Sequence, residues 1–151
     1  MPMKSILIYK QNEMVRLHAE TETSAGFRIA TEPYFVLKMK STWDEIYEKV
    51  KEILETSDFS AVPVPSNWSL FNREFLKKMQ VKSLKDLYKD AKLCQIQQTK
   101  KGFIRITPYK FLGMNEGFEP LENNSKMISN IEFNKEQFLQ VIKAFLDYKP
   151  S

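Results

Sequence analysis

The chain has 151 residues, 42% of them hydrophobic and 28% charged, and a formal charge of +4, a size and balance that suit one domain over residues 1–151 and exclude a disordered chain. A single histidine, a single cysteine and four scattered glycines exclude a His/Cys zinc site, an intrachain disulfide and a glycine-rich phosphate loop, so neither a metal nor a cofactor is expected. The charge is uneven: residues 68–110 hold eleven Lys or Arg against three Asp or Glu, a local +8, between flanks with eight against ten and four against six.

Residues 5–11 and 13–21 read as two strands joined around Asn12. In the second, Met14, Arg16, His18 and Glu20 alternate with Val15, Leu17 and Ala19, the period of a strand with one buried side. His18 falls on the polar side and is expected to be exposed. The apolar run Ile6-Leu7-Ile8-Tyr9 is far below the roughly 20 residues of a membrane span and too brief for a signal sequence. The expected location is therefore the cytoplasm, without a membrane partner, and the lone cysteine agrees with a reducing compartment. Residues 27–30 form a short strand between Gly26 and Pro33, and residues 34–40 a further one.

A capping box, Thr42 with Glu45, opens the first helix. Its Trp43, Ile46, Tyr47, Val50, Ile53 and Leu54 recur on one face, and Asp44, Glu48, Lys49, Lys51, Glu52 and Glu55 on the other. Residues 56–66 hold Pro63 and Pro65 without helical period and predict an extended connector. Ser66 or Asn67 then caps a helix with the stripe Trp68, Phe71, Phe75 and Met79. Ser83 caps another, with Leu84, Leu87, Tyr88 and Ala91 inward and Lys82, Lys85 and Lys89 outward. Residues 92–99 and 103–108 are strands around a Lys100-Lys101-Gly102 turn, with Cys94, Ile96, Ile104 and Ile106 on one face and Cys94 a small core residue. Residues 109–126 read as a long irregular segment, of the kind that is often functional. Asn134 with Gln137 caps a last helix that buries Phe138, Val141, Ile142, Phe145 and Leu146.

Carboxylates are the one catalytic resource in supply, yet Asp44, Glu45, Glu48, Glu52 and Glu55 share a solvated helix face. No two of them are set apart as an acid–base pair. An enzyme is not indicated. The interleaving of Arg73, Lys77, Lys78, Lys82, Lys85, Lys89, Lys92, Lys100, Lys101, Arg105 and Lys110 with Phe75, Tyr88, Phe103 and Tyr109 leaves a small basic nucleic-acid-binding domain as an alternative. Against it, most of these aromatics fall on faces predicted to be buried.

A series of short motifs carries a family resemblance. Pro63-Val64-Pro65, Trp68, Val81-Lys82-Ser83, Leu87-Tyr88-Lys89, Ala91, Ile104-Arg105-Ile106-Thr107-Pro108 and Gly117-Phe118-Glu119-Pro120-Leu121, followed by a terminal helix, resemble the immunity proteins of bacterial contact-dependent growth inhibition systems. Before them, Gly26-Phe27-Arg28 and Glu32-Pro33-Tyr34 match in order more than in detail. The resemblance implies a cytoplasmic antitoxin without catalysis, which binds and neutralises the C-terminal toxin domain delivered by a neighbouring cell, commonly by covering its active site or substrate surface. Immunity partners of nucleic-acid-cleaving toxins are often acidic, whereas this chain is basic, so the toxin's activity stays open. Pro63, Pro65, Trp68, Ser83, Gly117, Phe118 and Pro120 suit turns, caps and core packing. Toxin contact is instead expected at the exposed lysines Lys77, Lys78, Lys82, Lys85 and Lys89, or at Glu48, Glu52 and Glu55 on the first helix.

The fold expected is α+β: a single domain with a mainly antiparallel sheet of about five or six strands and packed amphipathic helices.

Overall fold

A computed structural model describes residues 3–11, 14–38, 43–132 and 134–146. The Asn12 turn, the Thr42 cap and the strand-end residues Met39 and Lys40 lie outside them. Seven strands are seen in this region: β1 (Lys4–Gln11), β2 (Met14–Glu22), β3 (Arg28–Lys38), β4 (Lys92–Gln98), β5 (Ile104–Phe111), β6 (Phe118–Pro120) and β7 (Lys126–Ile128). The helices are α1 (Trp43–Thr56), α2 (Trp68–Lys78), α3 (Leu84–Tyr88) and α4 (Lys135–Leu146). The sheet runs β3-β2-β1-β4-β5-β6, with β7 also on β5. Its strand pairs are all antiparallel, so the α+β class holds, with seven strands rather than five or six.

Alternation places one set of side chains on a common face. Ile6 lies opposite Ala19 and Ile96, Ile8 opposite Leu17 and Cys94, Ile96 opposite Ile106, and Ile104 opposite Ile128. Against this apolar face pack α1, through the six positions of its predicted stripe, and α4, through Phe138, Leu139, Ile142 and Leu146. Each fully buried aliphatic or aromatic side chain here contributes about 1.5–3 kcal/mol, which makes this face the main core. The Tyr47 hydroxyl donates to the Ile131 carbonyl at 2.9 Å, and its ring meets Phe138 edge-on at 5.9 Å. Lys135 closes the outer rim on Asp44 at 2.8 Å. Cys94 sits in the core with its thiol pushed up to about 12 by burial, as suits an inert core residue.

Three expectations change. The strands foreseen at 27–30 and 34–40 are one strand, β3. Its register against β2 shifts between His18 and Ala19, whose partners are Tyr34 and Thr31, and the cis Glu32–Pro33 pair fills the extra positions. Proline can sit there because the bulge is on an edge strand and needs no ladder donor. The segment 109–126 is ordered: β5 continues to Phe111, turns at Gly113 and Gly117 (φ +105° and +73°), and returns as β6 and β7. β6 pairs with residues 109–111 of β5 and β7 with 104–106, so the two together make one interrupted edge strand. The third change concerns the polar side of β2, which is also covered. Tyr9, Leu93, Phe75, Met79 and Leu87 form a second core there, beneath α2 and α3.

Candidate functional site

The layer formed by α2 and α3 is small and held at its ends by polar side chains. The Asn67 side chain accepts from the Leu70 N–H at 3.0 Å and the Ser83 hydroxyl from the Asp86 N–H at 3.1 Å, satisfying first-turn donors as both caps predict. At the far end of α2, Gln80 adopts φ +58°. Its N–H reaches the Lys77 carbonyl and the Val81 N–H reaches that of Leu76, both at 3.1 Å, a Schellman closure without glycine. Two residues from the sheet complete the anchoring. Arg16 donates through Nε to the Met79 carbonyl at 2.7 Å, and Gln11 through Nε2 to the Asp86 and Lys89 carbonyls at 2.5 Å each. Polar residues on β1 and β2 therefore tether helix ends rather than face water. Burial lowers the pKa of the Arg16 guanidinium from its usual value, without threatening its charge.

His18 lies beneath this layer and is 2% exposed, in contrast to the expected surface position. Its ring packs against Tyr9, Tyr34 and Phe75 at centroid distances of 5.6, 5.6 and 5.4 Å. Nδ1 donates to the Ala19 carbonyl at 2.8 Å, which leaves Nε2 to accept from the Tyr9 hydroxyl at 3.3 Å. Alternation alone cannot show a second covering layer, and it is that layer that takes His18 out of water.

The layer does not close over the whole sheet. Between the turn at Phe27, the first half of α2 and α3 runs a groove of about 300 Å³, lined by Phe27, Trp68, Phe71, Leu84 and Tyr88 and floored by His18, Tyr9 and Glu20. Phe27 reaches Trp68 at 6.0 Å, and Trp68 meets Phe71 edge-on at 5.6 Å. The Pro63–Pro65 connector is pinned where it starts: Ser24 N–H donates to the Val62 carbonyl and Val62 N–H to that of Glu22, at 2.9 and 3.0 Å. From Glu20 on the groove's floor outward the sheet face turns polar. Glu20 Oε1 accepts from the Ser5 hydroxyl and from Gln95 Nε2, each at 2.5 Å, and Arg105 contacts Gln97 and, at 3.9 Å, Glu122.

The lysines expected to contact a partner, Lys77, Lys78, Lys82, Lys85 and Lys89, are all exposed on the α2–α3 layer. Lys78 is engaged, pairing with Glu32 at 2.5 Å and lying 4.9 Å from the Tyr34 ring centre. The other four have no ion pair among the described residues. Glu48, Glu52 and Glu55 border a shallow hollow on α1 together with Lys49 and Lys51, and Lys49 pairs with Glu52 at 3.4 Å. The basic and acidic sets thus lie on opposite sides of the sheet. Of the aromatics interleaved with the basic run, Phe75 is buried, Tyr88 and Tyr109 are half-buried and Phe103 is exposed, so they offer no continuous stacking surface.

Trp68 and Leu84, which the spacing predicts to face inward, are 44% and 39% exposed, and Phe27 is 43% exposed. The stripe spacing of α2 was right. The helix has only 11 residues, however, and buries its C-terminal half, at Phe75 and Met79, leaving Trp68 at the open end. Gly26-Phe27, an aromatic directly after a turn glycine, was the one local sign of the groove's far wall.

A seven-stranded antiparallel sheet with a closed apolar core on one face and an open, aromatic-lined groove on the other defines an α+β protein whose second face is only partly covered. The family model described as "CdiI: CDI immunity protein" matches residues 4–148, and the chain belongs to that family, the immunity proteins of contact-dependent growth inhibition. Among solved structures it is similar to a protein of unknown function, NMB0488, from Neisseria meningitidis, with a TM-score of 0.70, 10% identity, and 96% of this chain and 94% of that one covered. It is also similar to a chain in a CdiA-CT/CdiI toxin and immunity complex from Yersinia pseudotuberculosis, with a TM-score of 0.63, 13% identity, and coverage of 85% and 87%. At those identities the likeness is one of fold. Among curated proteins none matches. No helix among the described residues is long and apolar enough to cross a membrane.

Proposed function

We propose that this chain works in the cytoplasm as a binding protein without catalysis, neutralising the toxin domain of its cognate growth-inhibition effector. The observation that carries this reading is family membership over residues 4–148. The Yersinia neighbour, a toxin and immunity complex, supports a protein partner. The contact face we assign is the outer α2–α3 layer, where Lys77, Lys82, Lys85 and Lys89 stand unpaired among the described residues around exposed apolar side chains. An apolar centre with a charged rim is the usual anatomy of a specific interface. Like-signed charges on the rim set encounter rate and partner choice more than affinity, and they point to an acidic patch on the toxin. The glutamates of α1 are the less favoured face, since Lys49 and Lys51 interrupt them and Lys49 already pairs with Glu52.

Expression of the toxin domain encoded beside this gene should arrest bacterial growth. Co-expression of this protein should restore growth, and the two should copurify at one to one. Persistent arrest with no complex would overturn the reading.

A further inference from the structure

We infer that the groove between the Phe27 turn, α2 and α3 is a socket for one aromatic side chain with a hydrogen-bond donor at its tip, tyrosine or tryptophan, presented by an acidic segment of the toxin domain. The inference rests on the immunity reading above and names what that partner must carry.

Size and shape come first. At about 300 Å³ the groove lies at the lower end of ligand pockets, roughly 300–1,000 Å³, and suits a single large side chain better than a helix or a small-molecule cofactor. Its walls are mainly apolar and open, with Arg28 and Asn72 as the polar residues among them. Phe27, Trp68 and Leu84 each expose more than a third of their surface while lining the same hollow. Isolated exposed apolar residues are ordinary, but three that converge on one hollow leave a surface that gains from being covered. The aromatic walls favour an aromatic guest, because offset and edge-to-face ring contacts add about 0.5–1.5 kcal/mol beyond burial.

The floor selects the tip. Glu20 uses Oε1 for both Ser5 and Gln95, and among the described residues Oε2 has no hydrogen bond or ion pair. His18 offers no alternative acceptor, as its Nε2 is taken by Tyr9. A guest without a donor would cover a carboxylate and leave it unpaired, at a substantial desolvation cost. Glu20 and Arg28 line the same groove, so a guest with one charge is attracted by one of them and repelled by the other and gains little from either. A neutral donor, the phenol O–H or the indole N–H, satisfies both conditions. Around the socket Arg28 lies on its wall, Arg73 and Lys85 adjoin the lining residues Asn72 and Leu84, and residues 68–110 carry the local +8. An acidic stretch on either side of the anchor is the complement of that field.

The test uses the full chain labelled with 5-fluorotryptophan and the toxin domain encoded by the adjacent gene in a catalytically inactive form. The two tryptophans differ: Trp43 is in the main core and Trp68 is on the groove. Binding should move the Trp68 resonance and leave that of Trp43 in place. W68A and L84K, each checked for an unchanged circular dichroism spectrum, should weaken binding on the order of 30-fold, the loss typical of a central interface anchor. Alanine scanning of the toxin's tyrosines and tryptophans should find one whose loss is strongly non-additive with W68A. If that anchor is a tyrosine, its replacement by phenylalanine should cost about tenfold. A toxin domain that binds the wild type, W68A and L84K alike with the Trp68 resonance unmoved would overturn the socket and leave the immunity reading standing. Failure of the wild-type chain to bind would overturn both.

Discussion

The ring of His18 is enclosed by Tyr9, Tyr34 and Phe75, and loss of water lowers its pKa from 6.5, only partly offset by its bond to the Ala19 carbonyl and by the charge of Glu20. The folded chain thus holds His18 neutral at a pH where the unfolded chain takes up a proton. Stability from this site is complete above about pH 6.5 and falls as the pH drops toward the folded-state value, at up to about 1.4 kcal/mol per pH unit for one proton. His18→Phe keeps the ring packing and removes the titration. Urea denaturation of the variant between pH 5 and 7 should therefore show a shallower slope than the wild type, whatever the variant's stability at pH 7. An unchanged slope would mean that His18 titrates as it does in the unfolded chain. The same neighbours matter for the tyrosines: burial raises Tyr9 well above its usual value and pushes Tyr34 and Tyr109 up to about 12, so these hydroxyls stay protonated donors under all ordinary conditions.

At the scale of elements, the α2–α3 layer depends on short helices that would be marginal alone, because a helix of 11 residues or fewer does not repay its nucleation cost in water. Packing of Phe75, Met79 and Leu87 into the second core stabilises them, and their ends add to it. Asn67→Ala should cost about 0.5–2 kcal/mol by freeing a first-turn N–H. Gln80→Gly should gain about 0.5–1 kcal/mol, since a left-handed conformation strains any residue with a β-carbon more than glycine. Equilibrium urea unfolding reads both, and a neutral Asn67→Ala or a destabilising Gln80→Gly would contradict the capping described for α2. These caps show what was legible in the sequence. Asn67 and Ser83 announce helix starts by chemistry that acts within three residues, and the burial stripe of α1 follows from spacing alone. Arg16 and Gln11 were not legible as tethers, because the carbonyls they hold lie more than sixty positions away in the chain. The strands β6 and β7, of three residues each, are too short for alternation to register, and only pairing with β5 defines them.

For the molecule as a whole, the sheet separates two different tasks. The face under α1 and α4 is closed and apolar and sets the fold. The other is shared between the tethered α2–α3 layer, the aromatic groove and a polar shelf around Glu20 and Arg105. The sequence alone carries the class, the helices and the basic segment, through composition and local period. It does not show the groove, whose walls come from a turn near residue 27 and helices some forty to sixty residues later. It also does not choose between the lysines and the glutamates, which the fold sets on opposite sides. The measurement that tests the account most directly is calorimetric titration of the inactive toxin domain with three proteins: the wild type, K77E/K82E/K85E/K89E, and E48K/E52K/E55K. The account predicts tight one-to-one binding by the wild type and the glutamate variant, and a loss on the order of 30-fold or more for the folded lysine variant. Loss with the glutamate variant but not with the lysine variant would put the toxin on α1 and contradict the assigned face.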